Sequence, residues 1–314
     1  MELLKSRAYI EQPLGWDLQS MYEHIERCGR TCYKSEWKIE PGSAEKFVNM
    51  IASHKGGDSP LEHGTVYLTV PMLRAAASDI SSFYSANKFS KVSTDLKNIY
   101  ISTNYRVISQ NGRHDDLDFM TDPRPEFHFP RLTVRFIMDR IGSQSFVRHR
   151  SLSPSQESTR FCNYSHERFG SHIQYILPHW APEVLDGTII ESEFEARRIA
   201  EIVDWGGKEP RPQVLSKLLL AGLRDEWDYM DLLSEGLRSE DARDVLPFFL
   251  KTDIVMTGWM DPDGWLNFLD LRTQPKAHKG AQALAKALKR ELDKGFDYFA
   301  PGIPGGQPLD VKSI

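Results

Sequence analysis

Several things are scarce in this sequence, and each scarcity excludes a class. Only three of the 314 residues are cysteine, Cys28, Cys32 and Cys162, too few for a disulfide framework and suited to a reducing compartment. No apolar run approaches the roughly 20 residues that a membrane-crossing helix needs. The opening Met1-Glu2-Leu3-Leu4-Lys5 lacks the apolar stretch of a signal peptide. A cytoplasmic protein with no membrane partner is the expectation. Positive charge is not in excess: 39 Lys and Arg face 44 Asp and Glu, a net charge of −5. That speaks against a nucleic-acid partner and leaves room for a local basic pocket that takes a small anion. Metal-ligand spacing is missing too. Cys28 and Cys32 lie one helical turn apart, but no third and fourth ligands follow. His114, Asp115, Asp116 and Asp118 lack the glycine turn and closing glutamate of a calcium loop. No metal is expected.

What the chain does have is concentrated between Phe146 and Tyr164. Three arginines, a histidine, a glutamine, a glutamate and six hydroxyl side chains share this segment. Each arginine carries five donors and a permanent charge, in a fork that matches phosphate or carboxylate. Asp139–Leu152 reads as a helix, with Pro154 disfavouring helix at Ser153. Arg148 and Arg150 then sit in its last turns and feed a polar loop, a common place for binding groups. On spacing alone, a solvated basic patch and an anion site both remain open.

The rest of the pattern gives a fold class. Arg7–Ile10, Thr65–Val70, Asn98–Thr103 and Leu132–Met138 read as strands, most clearly where residues alternate as Val66, Leu68 and Val70 do. Asp17 caps a helix with Met21, Ile25 and Cys28 on one face, and Ser43 caps another with Phe47, Met50 and Ile51. Leu73–Asn87 reads as helix, and Gly112–Pro125 as an irregular surface loop. After Tyr164 the expected elements are helical: Ser192–Trp205, Arg211–Gly236 with Leu215, Leu218, Leu219, Leu223 and Trp227 as its stripe, Glu240–Met256, Trp265–Leu271 and Gly280–Phe299. The tail from Pro301 is expected to be extended. There is no repeat, linker or domain boundary. An α+β fold follows, a single domain over residues 1–314 with an antiparallel sheet, helices packed on it and a helix-rich C-terminal half.

Set side by side, the suggestive clusters become recognisable. Ser59-Pro-Leu-Glu-His63 precedes a strand. Arg148-His-Arg150 is followed, after seven residues, by Ser158, within Gln156-Glu-Ser-Thr-Arg160. Ala242-Arg243-Asp-Val-Leu-Pro247 and Asn267-Phe-Leu-Asp-Leu-Arg272 come later, then His278. In this order the chain resembles the flavin-dependent thymidylate synthases, whose signature is Arg-His-Arg, seven residues, then Ser. Against the shorter members, residues 72–130 look like an insertion. The resemblance implies a homotetramer with FAD at the subunit interfaces. It also implies conversion of dUMP to dTMP, with methylenetetrahydrofolate as carbon donor and NADPH as the reductant of the flavin.

It further implies roles. Ser59, Arg148, His149, Arg150, Gln156 and Asn267 would contact FAD. Glu157, Ser158, Thr159, Arg160 and Arg243 would meet dUMP, with Arg148 and Gln156 shared between the two ligands. Arg272 would face the uracil, where a fixed guanidinium stabilises charge developing as N3 loses its proton, and Ser158 would position the substrate. Taken alone, Arg243 and Arg272 read as structural residues, Arg272 capping the helix before it; the ordered set reverses that. His63 reads as a satisfied structural histidine, and Asn267, if buried, needs a partner. Three places depart from the family. An Asn that contacts flavin falls near Trp259 or Asp261 here, and the loop Met260 to Gly264 is longer by about two residues. A common histidine is Gly57 here. A common Gln or Glu three residues before the first motif arginine is Ser145, so the substrate contact there is weaker or passes to Gln144. A serine hydrolase built on Ser158 and His149 lacks the Gly-x-Ser-x-Gly elbow, and packing is the expected role of Cys162. The rival from another class is a nucleotide- or nucleic-acid-binding protein that uses the basic loop without catalysis.

Overall fold

The structure, a computed structural model, describes residues 1–54, 58–74, 76–166 and 172–312; the Gly57 departure lies outside them. In chain order the elements are β1 (Glu2–Leu4), β2 (Arg7–Ile10), α1 (Leu18–Arg30), α2 (Ser43–Ser53), β3 (Thr65–Pro71), α3 (Ala77–Ala86), β4 (Lys91–Thr94), β5 (Asn98–Asn104) and α4 (Tyr105–Gln110). Then come β6 (Arg131–Asp139), α5 (Arg140–Phe146), β7 (Ser153–Gln156), β8 (Gln174–Ile176), α6 (Glu193–Ile202), α7 (Pro212–Ser234) and α8 (Ser239–Ala242). The last are β9 (Lys251–Trp259), α9 (Trp265–Arg272), α10 (Lys279–Leu292) and β10 (Gln307–Pro308).

The fold is α+β. Its main sheet runs β10-β2-β6-β9-β7, every neighbouring pair antiparallel. A second antiparallel sheet runs β3-β5-β4, and β1 and β8 form a parallel pair. Helices α5, α9 and α10 cover one face of the main sheet through a core that includes Phe136, Phe146, Trp265, Phe268 and Leu284. A second core joins α1 and α2 to the three-stranded sheet, and a third gathers around α6 and α7.

Two expected elements are corrected. The helix expected over Glu240–Met256 is a four-residue helix, α8, a turn through Arg243–Val245 and then β9. Strand β9 sits between β6 and β7, buried along all but its last residue. A strand covered on both faces loses the alternation that marks a half-exposed one. The helix expected over Asp139–Leu152 stops at Phe146. Pro154 then falls in β7, at the sheet's edge, where its missing N–H costs no ladder bond. Smaller departures follow. Met50 and Trp227 are exposed, and α7 buries Glu226 and Tyr229 instead of Trp227. Helix α10 stops at Leu292, short of Phe299, and the extended tail closes the sheet as β10.

Candidate active site

The Arg-His-Arg segment lies in a tight turn between α5 and β7. Asp139 caps α5, its Oδ1 accepting from the Gly142 N–H at 2.6 Å. After Phe146 the chain reverses through bonds from the His149 N–H to the Phe146 carbonyl and from the Leu152 N–H to the His149 carbonyl, at 3.0 and 2.9 Å. The turn lies directly on β9 at Gly258. A Cβ there would stand 2.3 Å from Leu152 Cδ2, so only glycine admits the motif this close to the sheet.

The turn directs Arg148 and Arg150 outward and His149 inward. The imidazole packs edge-on against Phe268 of α9, centroids 5.0 Å apart. Its Nε2 accepts from Arg272 Nε at 2.9 Å. Arginine only donates, so Nε2 bears the lone pair and the ring proton is on Nδ1. Burial, then the Arg272 charge, pushes the His149 pKa down to about 4, so the ring is neutral near pH 7. Burial and the nearness of Arg148 in turn lower the pKa of Arg272. Residues 123 positions apart therefore form one group, an arginine held by a neutral histidine beside a second arginine. No carboxylate of a described residue comes within ion-pair distance of Arg148, Arg150, Arg243 or Arg272.

Beyond β7 the chain enters a turn at Ser158, and burial alternates as far as Arg160. Ser155, Glu157 and Thr159 are buried, Gln156 and Ser158 are half-buried, and Arg160 is exposed. Gln156, Ser158 and Arg160 thus lie on the open side and the residues between them inside. Glu157 and Thr159, both expected on the substrate, lie on the buried side. Glu157 Oε1 accepts from the Tyr164 hydroxyl at 2.9 Å; its Oε2 accepts from Lys251 Nζ at 2.9 Å and from the Asp253 N–H at 3.3 Å. Burial alone would raise its pKa, but Lys251 and then Lys34 hold it down at about 2. Thr159 Oγ1 accepts from Arg243 Nη1 at 3.5 Å, so it steers an arginine. Arg160 Nε donates to Glu240 Oε2 at 2.7 Å. The turn around Ser158 and the turn after α8 thus form a second group. Strand β7, at about 3.3 Å per residue, separates it from the first by roughly 10 Å.

The other expected residues attach around these two groups. Gln156 Nε2 donates to Ser143 Oγ at 2.7 Å and to Thr252 Oγ1 at 3.2 Å. Ser145 donates back to the Gly142 carbonyl at 2.7 Å. Ser59 is exposed and opens a short turn ending at His63, whose Nε2 meets Ser155 Oγ at 2.8 Å while Nδ1 meets Thr257 Oγ1 at 2.7 Å. That bond ties the Ser59 block to β7. Asn267 is exposed on α9, not buried. The hydrolase arrangement does not form: Ser158 Oγ accepts from the Arg160 N–H at 3.3 Å, and the acceptor nitrogen of His149 is taken by Arg272. Cys162 is buried, its thiol pushed up to about 12 by burial and then by Glu157, which makes it a poor nucleophile. Among the described residues no group of three or more His, Cys, Asp or Glu could hold a metal ion, and no helix is long and apolar enough to cross a membrane.

Sequence reasoning missed Lys251, Glu240, Ser143 and Thr252, which hold the site residues from behind. Only for Lys251 and Thr252 did a signal exist, in the β-branched run Thr252, Ile254, Val255, Thr257.

Comparison with known proteins decides the family. The family model described as thymidylate synthase complementing protein matches residues 124–296, more than half of the chain. This chain belongs to that family. The matched range holds both groups of site residues, from Arg148 to Arg272; Ser59 and the β3-β5-β4 sheet lie outside it. Among curated proteins, the flavin-dependent thymidylate synthase of Sulfurisphaera tokodaii is 28% identical over 168 residues, a match covering 52% of each chain. The chain thus spans about half the length of the relative it matches.

Proposed function

We propose that the protein methylates dUMP to dTMP with a bound FAD, taking the carbon from methylenetetrahydrofolate and reducing power from NADPH. One observation carries the reading: Arg272, held by neutral His149 beside Arg148, in a chain of this family. The donor set fits a flavin nucleotide. Arg148 and Arg150 are exposed guanidiniums without acidic partners among the described residues, suited to bidentate contact with a pyrophosphate, and Asn267 and Gln156 add amides. When bound, the flavin supplies the hydride that completes the methyl group.

The chain's own residues do the rest. Ser158, Arg160 and Arg243 take the phosphate and polar edge of dUMP. Thr159 aims Arg243, and Glu157 anchors the loop from within. Arg272 faces the uracil and favours the ring anion that pushes electron density towards C5. Because His149 accepts from Nε, the two Nη atoms of Arg272 are left to reach the base. The two groups at either end of β7 complete their chambers in a homotetramer, with the chain acting as one domain and residues 72–130 as an elaboration of it.

The test is tritium release from dUMP labelled at C5. Release that requires FAD and methylenetetrahydrofolate, together with anaerobic bleaching of flavin absorbance by NADPH, supports the reading. Binding of dUMP or RNA without tritium release would instead mark a non-catalytic nucleotide-binding protein.

A further inference from the structure

The β3-β5-β4 sheet reaches the site region through Lys91. Lys91, on β4, donates from Nζ to Asp261 Oδ2 at 2.5 Å, with both side chains largely shielded. The same ammonium lies 5.2 Å from the ring centroid of Trp259 and 5.2 Å from that of Phe129. Arg131 covers Trp259 as well, at 5.3 Å. The end of β9 is therefore gripped by two cations, which such contacts favour.

Asp261 is also the organiser of the loop that leads from β9 into α9. Its Oδ1 accepts from the N–H groups of Asp263 and Gly264 at 3.1 and 2.7 Å. Its carbonyl accepts from the N–H groups of Gly264 and Leu266 at 3.1 and 3.2 Å. The loop closes so tightly that a Cβ on Gly264 would stand 2.2 Å from the Trp259 carbonyl oxygen. Helix α9 has no side-chain N-cap at Gly264, so Asp261 does the work that a cap does elsewhere. On the far side of the loop, Ser151 Oγ, one residue past the Arg-His-Arg motif, donates to the Asp263 carbonyl. An unbroken series of bonds runs from Lys91 through Asp261 to the start of α9, which bears Asn267 and Arg272, and to the motif turn itself.

We propose that Lys91 is a positioning residue: the β3-β5-β4 sheet braces the 259–264 loop through Lys91 and Asp261 and so sets where α9 presents Arg272 against the motif turn. The catalytic part of this rests on the reading above; the bracing does not. Lys91→Met keeps the apolar stem and removes the charge. Asp261→Asn keeps an acceptor for the loop amides and removes the partner. Hydrogen exchange followed by mass spectrometry reads the brace directly. In Lys91→Met, amides of 260–268 are expected to exchange about 5- to 10-fold faster, as loss of one partly shielded charge-assisted bond implies, with β6 and the body of β9 unchanged. Turnover is expected to fall about 5- to 10-fold with little change in the KM for dUMP. Lys91→Arg restores both, and the double variant is no worse than either single one. Unchanged exchange in 260–268, acceleration spread evenly over the strands, additive single effects, or faster exchange at full turnover would each overturn the proposal. If the wild-type protein releases no tritium, the functional reading fails, and the exchange data alone decide whether the sheet holds the loop.

Discussion

Replacing Glu157 by Gln separates two uses for a residue that the sequence places on the substrate and the fold places inside. Its carboxyl is held at about 2 rather than the ordinary 4.5. A buried carboxylate held ionised by a buried ammonium stabilises the fold, and breaking such a pair costs on the order of 3–5 kcal/mol. Asp253 remains on Lys251 at 2.6 Å, so the variant does not strand an unpaired ammonium, and the cost settles at the low end of that range, about 3 kcal/mol. The sign is fixed by the direction. A depressed carboxyl contributes fully above its unfolded pKa and loses that contribution as pH falls through its folded pKa. The gap between wild type and Glu157→Gln, measured by urea unfolding followed by circular dichroism, is therefore expected to be constant from pH 7 to about 5 and to shrink from there towards pH 2. The folded variant should bind dUMP, by calorimetry, within about twofold of wild type, since it keeps both Arg160 and Arg243. A variant as stable as wild type that has lost dUMP affinity would refute the inward placement and return Glu157 to the substrate.

Two further outcomes follow from the geometry. Arg272→Ala should lower turnover by about 10²- to 10³-fold, the usual cost of removing a charge-stabilising donor, while flavin content by absorbance stays within about twofold; equal losses would assign this arginine to the cofactor instead. Gly258→Ala should destabilise the fold by about 1–3 kcal/mol through overpacking against Leu152 and loosen flavin binding with it. Adding Leu152→Ala should recover most of both in a thermal melt and a flavin titration, and no recovery would mean that the motif turn does not rest on that contact.

The fold was legible where a cap or an alternation of apolar residues marks an element locally, and obscure where neither does. The cap at Asp17 and the alternation in β3 and β6 are local signals, and these elements stand where they predict; the cap expected at Ser43 does not form, since Gly42 precedes α2 and the Ser43 hydroxyl donates to Glu26. Strand β9 is the opposite case. With β6 on one edge and β7 on the other, its residues are buried almost without exception, polar Lys251, Thr252, Asp253 and Thr257 included, so no apolar–polar alternation marks it as a half-exposed strand. The site shows the same division. Its motif residues could be found because their types are rare together, but their direction depends on the backbone state. Reading 139–152 as one helix hid that Ser153–Gln156 is a strand, and that burial alternates from it through Glu157 and Thr159. Lys251 and Glu240 belong to the site only through long-range pairing; the β-branched run after Lys251 marks a strand but not the partners it meets.

Arg160 differs from Arg148, Arg150, Arg243 and Arg272, because among these arginines it has an acidic partner in a described residue, Glu240. The bridge is no obstacle to a phosphate role. Arg160 is more than half exposed and Glu240 about a third, and exposed pairs of this kind contribute about 0–1 kcal/mol. A phosphate offers the same guanidinium more acceptor oxygens and more charge, and Arg243 stands beside it through Thr159 without a carboxylate to release. Glu240 then parks Arg160 on the open side of the segment with Gln156 and Ser158. The entropy of ordering a long side chain is partly spent before the ligand arrives, and the weak bridge yields at little cost when it does.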